Sequence, residues 1–515
     1  MVGHSDFGQH IFTRKGGRIL IGIAIPLILY TLFHNSLRIS HIYEAPPRPA
    51  LEQLPSGTCE LNLTSLEAYN LSPNIKYRRR YIYTHAVQEK LESVVDVDEP
   101  LLPGHQVLDR TSSDHQDQIA ELMNCDSQPL RLAVAPDPRP AEGSTILFGV
   151  ATTAPRLKES LVQMRHWLND GKASLLALVP TDPMVDEVRA QMKAWGIDGV
   201  IKVDDDSFTS RYFNLVDHFQ EELKAERAKR PHIRWVGFID DDTFFPSISD
   251  IVETLTKYDH SKPQYVGGIS EDLHQIGKHG LFAFGGAGIF VSLPLLDQVH
   301  AHFAECQQSE RDVDQGDVKL AHCIYKHTRT KLAMEDGLHQ MDFFGDSRGV
   351  FESGRRLLSI HHWKTWYHLD VVRLSQISDV CGEHCILQRW KFPSSSGKSL
   401  VLTNGYSLVE YQGSLPDFGQ TEKTWEVNAD FRGHEAERTF ADDEADFAHS
   451  LAPLRPKLEE GKDKVSYDLI DAVKETGGRV RQVYVKKGAD GGEDDVVELI
   501  WVKDPKSISH ASHTE

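Results

Sequence analysis

The chain has 515 residues, of which 40% are hydrophobic and 26% are charged. At roughly 100 to 200 residues per domain, this length indicates two or three units. The composition is that of a globular protein, so it excludes bulk disorder and a polytopic membrane protein. The 76 Asp and Glu residues outnumber the 56 Lys and Arg residues, which gives a net charge of -20. So acidic a chain lacks the basic face that phosphate contacts need, and nucleic acid is excluded as a partner.

Residues 19–33 form an uncharged apolar run near the N-terminus. As a helix this run would be about 22 Å long, against a hydrocarbon core of roughly 30 Å. Arg14, Lys15 and Arg18 precede the run, and no small-residue cleavage site of a signal peptide follows it. The positive-inside rule then places residues 1–18 in the cytosol and the rest of the chain in a lumen. We therefore expect a single-pass type II signal-anchor, a transmembrane helix in the Golgi or ER membrane.

The segment after the anchor has the composition of a stem. Residues 34–140 are rich in Pro and polar side chains, which is typical of a linker or a loosely packed segment. Two N-glycosylation sequons fall in it, at Asn62 and Asn70, although Pro73 makes the second a poor acceptor. We therefore expect a glycoprotein with its stem over residues 34–140.

From residue 141 the pattern changes to short apolar runs that alternate with segments of helical spacing. The predicted strands lie at 145–150, 174–179, 199–203, 235–239 and 265–269, and the predicted helices at 157–170, 212–228 and 248–258. This alternation indicates an α/β domain over residues 141–400, with a mostly parallel sheet and helices on both faces. Residues 401–515 form a predicted small α+β extension, in which 479–485 and 496–503 alternate like the two strands of a hairpin.

Two acidic triplets each follow a predicted strand directly. Asp240, Asp241 and Asp242 form one triplet, and residues 204–206 have the same sequence. In open α/β sheets ligands bind at the carboxyl ends of strands, and residues i and i+2 of an extended chain point the same way. Asp240 and Asp242 could thus offer two carboxylates to Mg²⁺ or Mn²⁺. Since a bare triplet is most often a solvated turn, only its surroundings can distinguish one from the other.

The sequence around Asp240 carries five motifs in order. They are Trp-Val-Gly-Phe-Ile-Asp-Asp-Asp-Thr-Phe-Phe at 235–245, Phe-Gly-Gly-Ala-Gly-Ile-Phe at 284–290, Asp-Val at 317–318 before Cys323, Glu-Ser-Gly-Arg at 352–355 and Ser-Ile-His-His-Trp at 359–363. With these motifs the chain resembles the Fringe-like glycosyltransferases of family 31, most of all the fungal, DUF604-type members, with the core-1 galactosyltransferases as relatives. The resemblance spans roughly residues 145–390, about half of the chain.

The resemblance implies a GT-A type glycosyltransferase fold that binds a UDP-sugar through Mn²⁺, with Mg²⁺ as an alternative. It also implies inverting transfer of a hexose-type sugar to a hydroxyl of a glycan or glycoprotein acceptor. A divalent cation would stabilise the negative charge of the departing UDP. By this resemblance Asp240 and Asp242 hold the metal, Asp241 turns to the sugar or ribose, and the third ligand is His361 or His362. The other histidine of the pair is expected to be a hydrogen-bonded core residue.

Inverting transfer also needs a base that takes the proton of the acceptor hydroxyl. Asp317 occupies the place of the family's catalytic carboxylate. Related enzymes usually have an acidic residue or a Pro-Asp sequence just before it, whereas this chain has Gly316, so Asp314 is the reserve candidate. The alternative for Asp317 is a solvated helix N-cap. Trp363 and Trp366 are candidates to stack on an acceptor sugar, with core packing as the alternative.

Five further residues are candidate donor contacts. Gly285 and Gly286 lack side chains and would let the backbone approach a sugar closely, although the run could equally be a tight turn. By the resemblance, Thr152, Thr153 and Arg156 form the nucleotide-binding edge after the first strand and contact uracil or phosphate. The alternative for these three is an ordinary strand-to-helix cap.

The cysteines are even in number, and in a lumen disulfides are their expected state. We expect the pairs Cys59–Cys125 across the stem, Cys306–Cys323 around the candidate base, and Cys381–Cys385. The last pair, with His384, could also be half of a zinc site.

Two other classes of function stay open. A transferase-like lectin or assembly factor without turnover would agree with Gly316 and with the extra C-terminal region. A metal-dependent hydrolase would agree with the carboxylates but not with the ordered motifs.

Overall fold

The computed structural model describes residues 64–102, 104–111, 129–138, 143–169, 173–226, 230–394, 397–426 and 451–503. These residues fall in one compact unit that runs from Leu61 to Glu515. The predicted cytosolic tail, the anchor at 19–33, the Asn62 sequon and the Cys59–Cys125 pair lie outside the described residues. Within the described ranges, no helix is both long enough and apolar enough to cross a membrane.

Strands dominate the described part of the chain. In chain order they are β1 (Asn74–Ala86), β2 (Val95–Asp96), β3 (Gln106–Asp109), β4 (Leu130–Val134), β5 (Ile146–Ala151), β6 (Ser174–Val179), β7 (Gly199–Val203), β8 (Trp235–Ile239), β9 (Tyr265–Gly267), β10 (Ile289–Ser292), β11 (Leu332–Met334), β12 (Phe344–Gly345), β13 (Arg389–Pro393), β14 (Ser399–Thr403), β15 (Ser407–Tyr411), β16 (Thr421–Glu422), β17 (Trp425–Glu426), β18 (Leu454–Arg455), β19 (Lys464–Glu475), β20 (Arg479–Lys486) and β21 (Asp494–Lys503).

Helices cover both faces of one sheet and connect its strands. They span Thr64–Glu67, Ala154–Leu168, Val185–Ala194, Phe208–Glu226, Ile248–Leu255, Leu273–His279, Leu293–Ala301, Phe303–Ser309, Gly316–His327, Arg348–Phe351, Val371–Ser375 and Ser378–Cys381.

The sheet that carries the acidic triplets has seven strands in the order β11-β9-β10-β8-β5-β6-β7. Strand β5 pairs in parallel with β6 and β8, β6 with β7, and β9 with β11, whereas β10 is antiparallel to both of its neighbours. The five predicted strands correspond to β5 through β9, and the three predicted helices also form. The prediction of a mixed α/β domain with a mostly parallel sheet is therefore confirmed.

Strand β5 shows how this sheet is covered on both faces. Phe148 and Val150 point into one buried cluster together with the helix Ala154–Leu168. Leu147 points into a second cluster, together with the helix Phe208–Glu226. Successive side chains of a strand face opposite sides, so an uninterrupted apolar run fits a strand that is buried twice. Each such side chain contributes about 1.5 to 3 kcal/mol by its burial.

The second large sheet has ten strands and joins parts of the chain that are far apart in sequence. Its order is β2-β13-β14-β15-β19-β20-β21-β1-β3, and β4 pairs with β1. Strand β1 runs parallel to β21, from the pair Ile75 and Asp494 to the pair Thr84 and Lys503. The predicted C-terminal hairpin forms as β20 and β21, within this larger sheet.

This sheet corrects the expectation that all of residues 34–140 would be loosely packed. Strands β1 to β4 belong to the sheet, and Ile75, Tyr77 and Ile82 of β1 are buried. The average composition of the segment hid this alternation of apolar and charged residues. Its partner strand β21 lies more than 400 residues away, and such a pairing gives no local signal.

Two of the expected disulfides form. Cys306–Cys323 joins the helices Phe303–Ser309 and Gly316–His327, with the Cα atoms 5.7 Å apart. Cys381–Cys385 closes a short loop, with the Cα atoms 5.8 Å apart, so the alternative of half a zinc site is wrong for this pair.

Candidate functional site

A cavity of about 750 Å³ opens at the carboxyl ends of β5 and β8. This is the edge at which ligands bind in open α/β sheets. Its lining includes most of the residues that the sequence singled out, which are Thr152, Thr153, Arg156, Asp240, Asp241, Asp242, Asp314, Asp317, His361 and His362. We call it the acidic cavity.

A short antiparallel bridge places His361 and His362 beside the triplet of Asp240, Asp241 and Asp242. Phe244 and Ile360 exchange two backbone hydrogen bonds, of 2.9 and 2.8 Å. The residue after Ile360 therefore lies next to the loop that leaves β8. The Nε2 atom of His361 is 3.0 Å from Oδ1 of Asp242 and 3.4 Å from Oδ2 of Asp240. Two carboxylates and one imidazole thus converge on the same point.

The orientation of the His361 ring is fixed from behind. Its Nδ1 atom lies 2.9 Å from the carbonyl oxygen of Gln340, to which it can only donate, so in the neutral ring the lone pair is on Nε2. Burial opposes a charge on this ring, but Asp242 and Asp240 outweigh that effect and raise the pKa of His361 well above its ordinary value. A backbone carbonyl behind a ligating histidine is the usual support of a metal site. The donor set fits a divalent cation between Nε2 and the two carboxylates.

His362 has a different role in the same wall. Its backbone has a φ of 56°, in the left-handed region, and its Nε2 atom lies 3.1 Å from Oδ1 of Asp342. Its ring stacks on Trp366 with the centroids 3.6 Å apart. Ligand atoms of Asp242, His361 and His362 nevertheless lie within 4.8 Å of one another. Both histidines therefore face the cavity, and only His361 faces both carboxylates.

Asp241 is held by the two side chains that the sequence assigned to the nucleotide edge. Arg156 donates to its two oxygens from Nε and Nη2, each at 2.6 Å, and the Thr152 hydroxyl donates to Oδ2. Thr153 caps the helix Ala154–Leu168 by accepting from the backbone of Arg156, which puts Arg156 in the first turn. The helix cap at Thr153 is therefore also part of the cavity lining. Asp241 positions Arg156 here and does not point freely to a sugar.

The glycine run lies behind the carboxylates, where no side chain fits. A Cβ atom at Gly286 would overlap the His361 ring, and one at Gly285 would overlap the Tyr212 hydroxyl. The Thr243 hydroxyl accepts from the backbone of Asp240 at 3.1 Å and donates to the carbonyl of Gly286 at 3.0 Å. The glycines therefore allow the close packing that brings His361 to the triplet.

Asp317 also lines the acidic cavity, in the first turn of the helix Gly316–His327. Gln315 is the N-cap of that helix, so the alternative of an N-cap aspartate is wrong. One Asp317 oxygen accepts from the backbone of Gly285 at 3.0 Å and the other from Val318 at 2.8 Å. Burial, with a smaller contribution from the Asp240 charge, outweighs these bonds and raises the pKa of Asp317 to about 6. A carboxyl group with this pKa is suited to accept a proton near neutral pH.

Tyr212 is a cavity residue that the sequence did not single out, and it explains Gly316. A Cβ atom at Gly316 would overlap the Tyr212 side chain, which is 3% exposed and lies between Gly285 and Gly316. The Tyr212 hydroxyl is buried and has no hydrogen-bond partner within the described residues. Its position in a helix with ordinary apolar spacing gave no sign of this role. The missing acidic residue before Asp317 is thus a packing requirement of this chain.

The remaining candidates divide between cavity and core. Asp314 is exposed at the rim, where its backbone carbonyl accepts from the Thr209 hydroxyl. Trp366 lines the cavity, whereas Trp363 is buried in the core. Lys364, which the sequence did not single out, donates to Ser160 at 3.0 Å. Burial lowers its pKa, whereas the charges of Asp241 and Asp242 act in the opposite direction, which shows that this amine lies near the triplet.

One protein family matches part of the chain. The family described as "Protein of unknown function, DUF604" matches residues 278–372. The matched segment contains Gly285, Gly286, Asp317 and both histidines but not the acidic triplet. The DUF604 part of the sequence-based resemblance is therefore confirmed over these residues, while fungal origin and a Fringe-like specificity stay predictions. No curated protein matches the chain.

Several solved structures are similar to the chain at low identity. Glycosyltransferase GlyE of Streptococcus pneumoniae TIGR4 has a TM-score of 0.26 and 14% identity, over 38% of this chain and 46% of that one. A glycosyltransferase involved in the glycosylation of the major capsid of PBCV-1 has a TM-score of 0.26 and 11% identity, over 43% and 93%. Mouse xyloside xylosyltransferase 1 has a TM-score of 0.23 and 10% identity, over 36% and 83%. Such low scores support no argument about function.

Proposed function

We propose that the protein is an inverting glycosyltransferase of GT-A type. It moves a hexose-type sugar from a UDP-sugar to a hydroxyl of a glycan or glycoprotein acceptor, and it depends on Mn²⁺, with Mg²⁺ as the alternative. The observation that carries the proposal is the placement of Asp240, Asp242 and His361 in one cavity with Asp317, whose pKa is raised to about 6. A metal-binding group and a separate base are the two elements that a single displacement from a nucleotide sugar requires.

The donor end of the cavity would bind the diphosphate. Asp240, Asp242 and His361 would hold the cation, which supplies Lewis-acid stabilisation of the charge on UDP when bound. Arg156, fixed by its two bonds to Asp241, has a side chain that is 63% exposed, and its guanidinium group would meet phosphate oxygens at its outer edge. Lys364 adds a second positive charge beside the triplet. These groups bind and orient the leaving group.

The acceptor end of the cavity would hold the incoming hydroxyl. Asp317 would accept its proton, and the backbone bonds from Gly285 and Val318 keep the carboxylate oriented. Because Gly285 also packs beside Tyr212 and Asp240, the base and the metal-binding carboxylates are joined through the same rigid loop.

A UDP-release assay of the purified protein tests the proposal. We expect release of UDP from at least one UDP-sugar in the presence of Mn²⁺ and an acceptor array, and no release with EDTA. The variants Asp242→Ala and Asp317→Asn should both abolish it. Absence of turnover with every sugar nucleotide and acceptor would contradict the proposal.

The alternative of a lectin or assembly factor without turnover predicts glycan binding that is indifferent to Mn²⁺ and to Asp317→Asn. In the sequence, this alternative was based on Gly316 and on the C-terminal region. The packing of Tyr212 against Gly316 accounts for the glycine while Asp317 keeps its place, so the transferase is the better supported reading.

The location follows from the sequence alone. We propose a single-pass type II protein of the Golgi or ER membrane, with the acidic cavity in the lumen. A protease-protection assay on microsomes, with an epitope at each end of the chain, would test this orientation.

A further inference from the structure

A second group of possible metal ligands lies outside the acidic cavity. Ligand atoms of His302, Glu305 and His327 lie within 4.8 Å of one another. His302 joins the helices Leu293–Ala301 and Phe303–Ser309, and His327 is the last residue of the helix Gly316–His327. None of the motifs of the predicted transferase includes these three residues.

The disulfide explains why the three side chains meet. Cys306 follows Glu305 directly, and Cys323 is four residues before His327, so that Cys323 and His327 share one face of their helix. The covalent bond between Cys306 and Cys323 therefore holds the end of one helix against the start of the other. The two imidazole rings stack with centroids 4.1 Å apart and an interplanar angle of 17°. Because the lone pair of an imidazole nitrogen lies in the plane of its ring, one of these two stacked rings must rotate for both to bind the same ion.

The separations suit a small cation better than hydrogen bonds. Glu305 Oε2 lies 3.6 Å from His302 Nδ1, and Glu305 Oε1 lies 3.7 Å from His327 Nε2. Both separations are too long for a hydrogen bond. They involve different oxygens of the Glu305 carboxylate, and each is close to the distance of about 3.4 Å between neighbouring ligands of a zinc ion with bonds of about 2.1 Å. Lys326 Nζ, 3.5 Å from Glu305 Oε1, is the cation that now faces this carboxylate.

The buried nitrogen of His327 is the second observation that points to a ligand. The His327 side chain is only 10% exposed, and its Nε2 atom has no hydrogen-bond partner within the described residues. Leaving a buried polar atom without a partner costs free energy. A metal bond to Nε2 would remove that cost, whereas the more exposed His302 and Glu305 leave a path for the ion and a place for water ligands.

We propose that His302, Glu305 and His327 bind Zn²⁺. Two imidazoles and one carboxylate form a common zinc ligand set, with water in the fourth position, and imidazole ligands favour zinc over manganese. The bound ion fixes the C-terminal end of the helix that carries Asp317 at its N-terminal end. The site stands independently of the proposed transferase activity, because none of its residues lines the acidic cavity.

The test is the zinc content of the full-length protein after equilibrium dialysis against Zn²⁺ in the low micromolar range. We expect His302→Ala and His327→Ala each to hold one Zn²⁺ fewer per chain than the wild type, with affinity reduced on the order of 100-fold or more. His218→Ala is the matched control, since His218 and Glu221 have the same i,i+3 spacing on a helix without a second imidazole. This variant should keep the zinc content of the wild type.

A stability measurement guards against a folding defect. Zn²⁺ should raise the melting temperature of the wild type and of His218→Ala but not that of His302→Ala, whose exposed side chain can be removed without disturbing the core. In EDTA all of these proteins should melt together. Wild-type zinc content in both His302→Ala and His327→Ala, or an equal loss in His218→Ala, would overturn the proposal.

Discussion

The two acidic triplets of the seven-stranded sheet have the same sequence and different surroundings. In the first triplet, Asp204 and Asp206 both accept from the side chain of Asn214, at 2.8 and 2.9 Å, and Asp205 accepts from the backbone of Thr181 at 2.7 Å. This triplet follows β7, at the edge of the sheet. Its carboxylates accept hydrogen bonds from an amide side chain and a backbone N–H, and His218 lies 3.6 Å from Asp204.

The second triplet follows β8, which lies between β10 and β5 inside the sheet. Its central carboxylate is paired with Arg156, and Asp240 and Asp242 face the His361 nitrogen. The comparison shows that the sequence of an acidic triplet alone says little about its function. The position of the preceding strand in the sheet decides which side chains can reach the carboxylates. An interior strand brings loops from both sides to its carboxyl end, whereas an edge strand does not.

The largest expected effect separates the two triplets directly. Asp242→Ala removes a carboxylate from the group around His361, and we expect UDP release to fall on the order of 10³-fold or more, because charge stabilisation of the leaving group is lost. Asp206→Ala in the first triplet is the matched control and should change the rate less than about twofold. Rates of UDP release with saturating Mn²⁺ measure both. Equal losses of the rate of UDP release in the two variants would contradict a functional difference between the two triplets.

The next effect concerns the base opposite the second triplet. Asp317→Asn keeps an oxygen that can accept from Gly285 but cannot take a proton, so the rate should fall by about 10²-fold or more. Because burial raises the pKa of Asp317 to about 6, the wild-type rate should increase as the pH rises through about 6. A rate that is independent of pH between 5 and 8 would speak against this base.

The same substitution should make the stability of the fold less dependent on pH. Between pH 4 and 6 the folded carboxyl keeps a proton that the unfolded chain has released, so the free energy of unfolding falls as the pH rises through that range. A shift from 3.8 to about 6 corresponds to a loss of up to about 3 kcal/mol at pH 7. Asp317→Asn lacks this titration, so its melting temperature should change less between pH 4 and pH 7.5 than that of the wild type.

A smaller effect is expected from the glycine run that packs against the second triplet. In Gly286→Ala the new Cβ overlaps the His361 ring and must displace it from Asp242 and Asp240. We expect Mn²⁺ to bind about 10- to 100-fold more weakly, as when the support of a ligand is lost. Titration with Mn²⁺ in the UDP-release assay measures the change. Gly277→Ala, at a glycine where a Cβ meets nothing, is the control and should behave as wild type.

The smallest expected effect concerns Arg156. Arg156→Lys keeps the positive charge but loses the two-point bond to Asp241, so the cation is no longer held in one orientation. The KM for the donor should rise by about 10-fold, with kcat changed less. Steady-state kinetics over a range of donor concentrations would show this, and an unchanged KM would place Arg156 outside the donor site.

Much of the site could be predicted from the sequence because its residues belong to local motifs. The strand before Asp240 is apolar throughout, and the Ser-Ile-His-His-Trp motif identified both histidines. The choice between His361 and His362 could not be made, since it depends on the bridge between Phe244 and Ile360 across more than 100 residues. Asp241 was assigned to a sugar because nothing local reveals that Arg156 would reach it.

The fold was likewise predictable only where the elements that pair lie close together in the sequence. Alternating strands and helices gave β5 to β9, whose parallel pairs lie close in sequence. The ten-stranded sheet was missed because it pairs β1 with β21, at opposite ends of the described chain. Tyr212 was missed for a related reason: its spacing is that of a core residue, and only the two glycines that flank it in space, Gly285 and Gly316, reveal the crowding.

Binding of Mn²⁺ in the presence of UDP, measured by electron paramagnetic resonance on the full-length protein, tests the central claim most directly. The account predicts that the wild type and Asp206→Ala each immobilise one Mn²⁺ per chain and that Asp242→Ala and His361→Ala do not. Equal Mn²⁺ binding by the wild type and Asp242→Ala would contradict it.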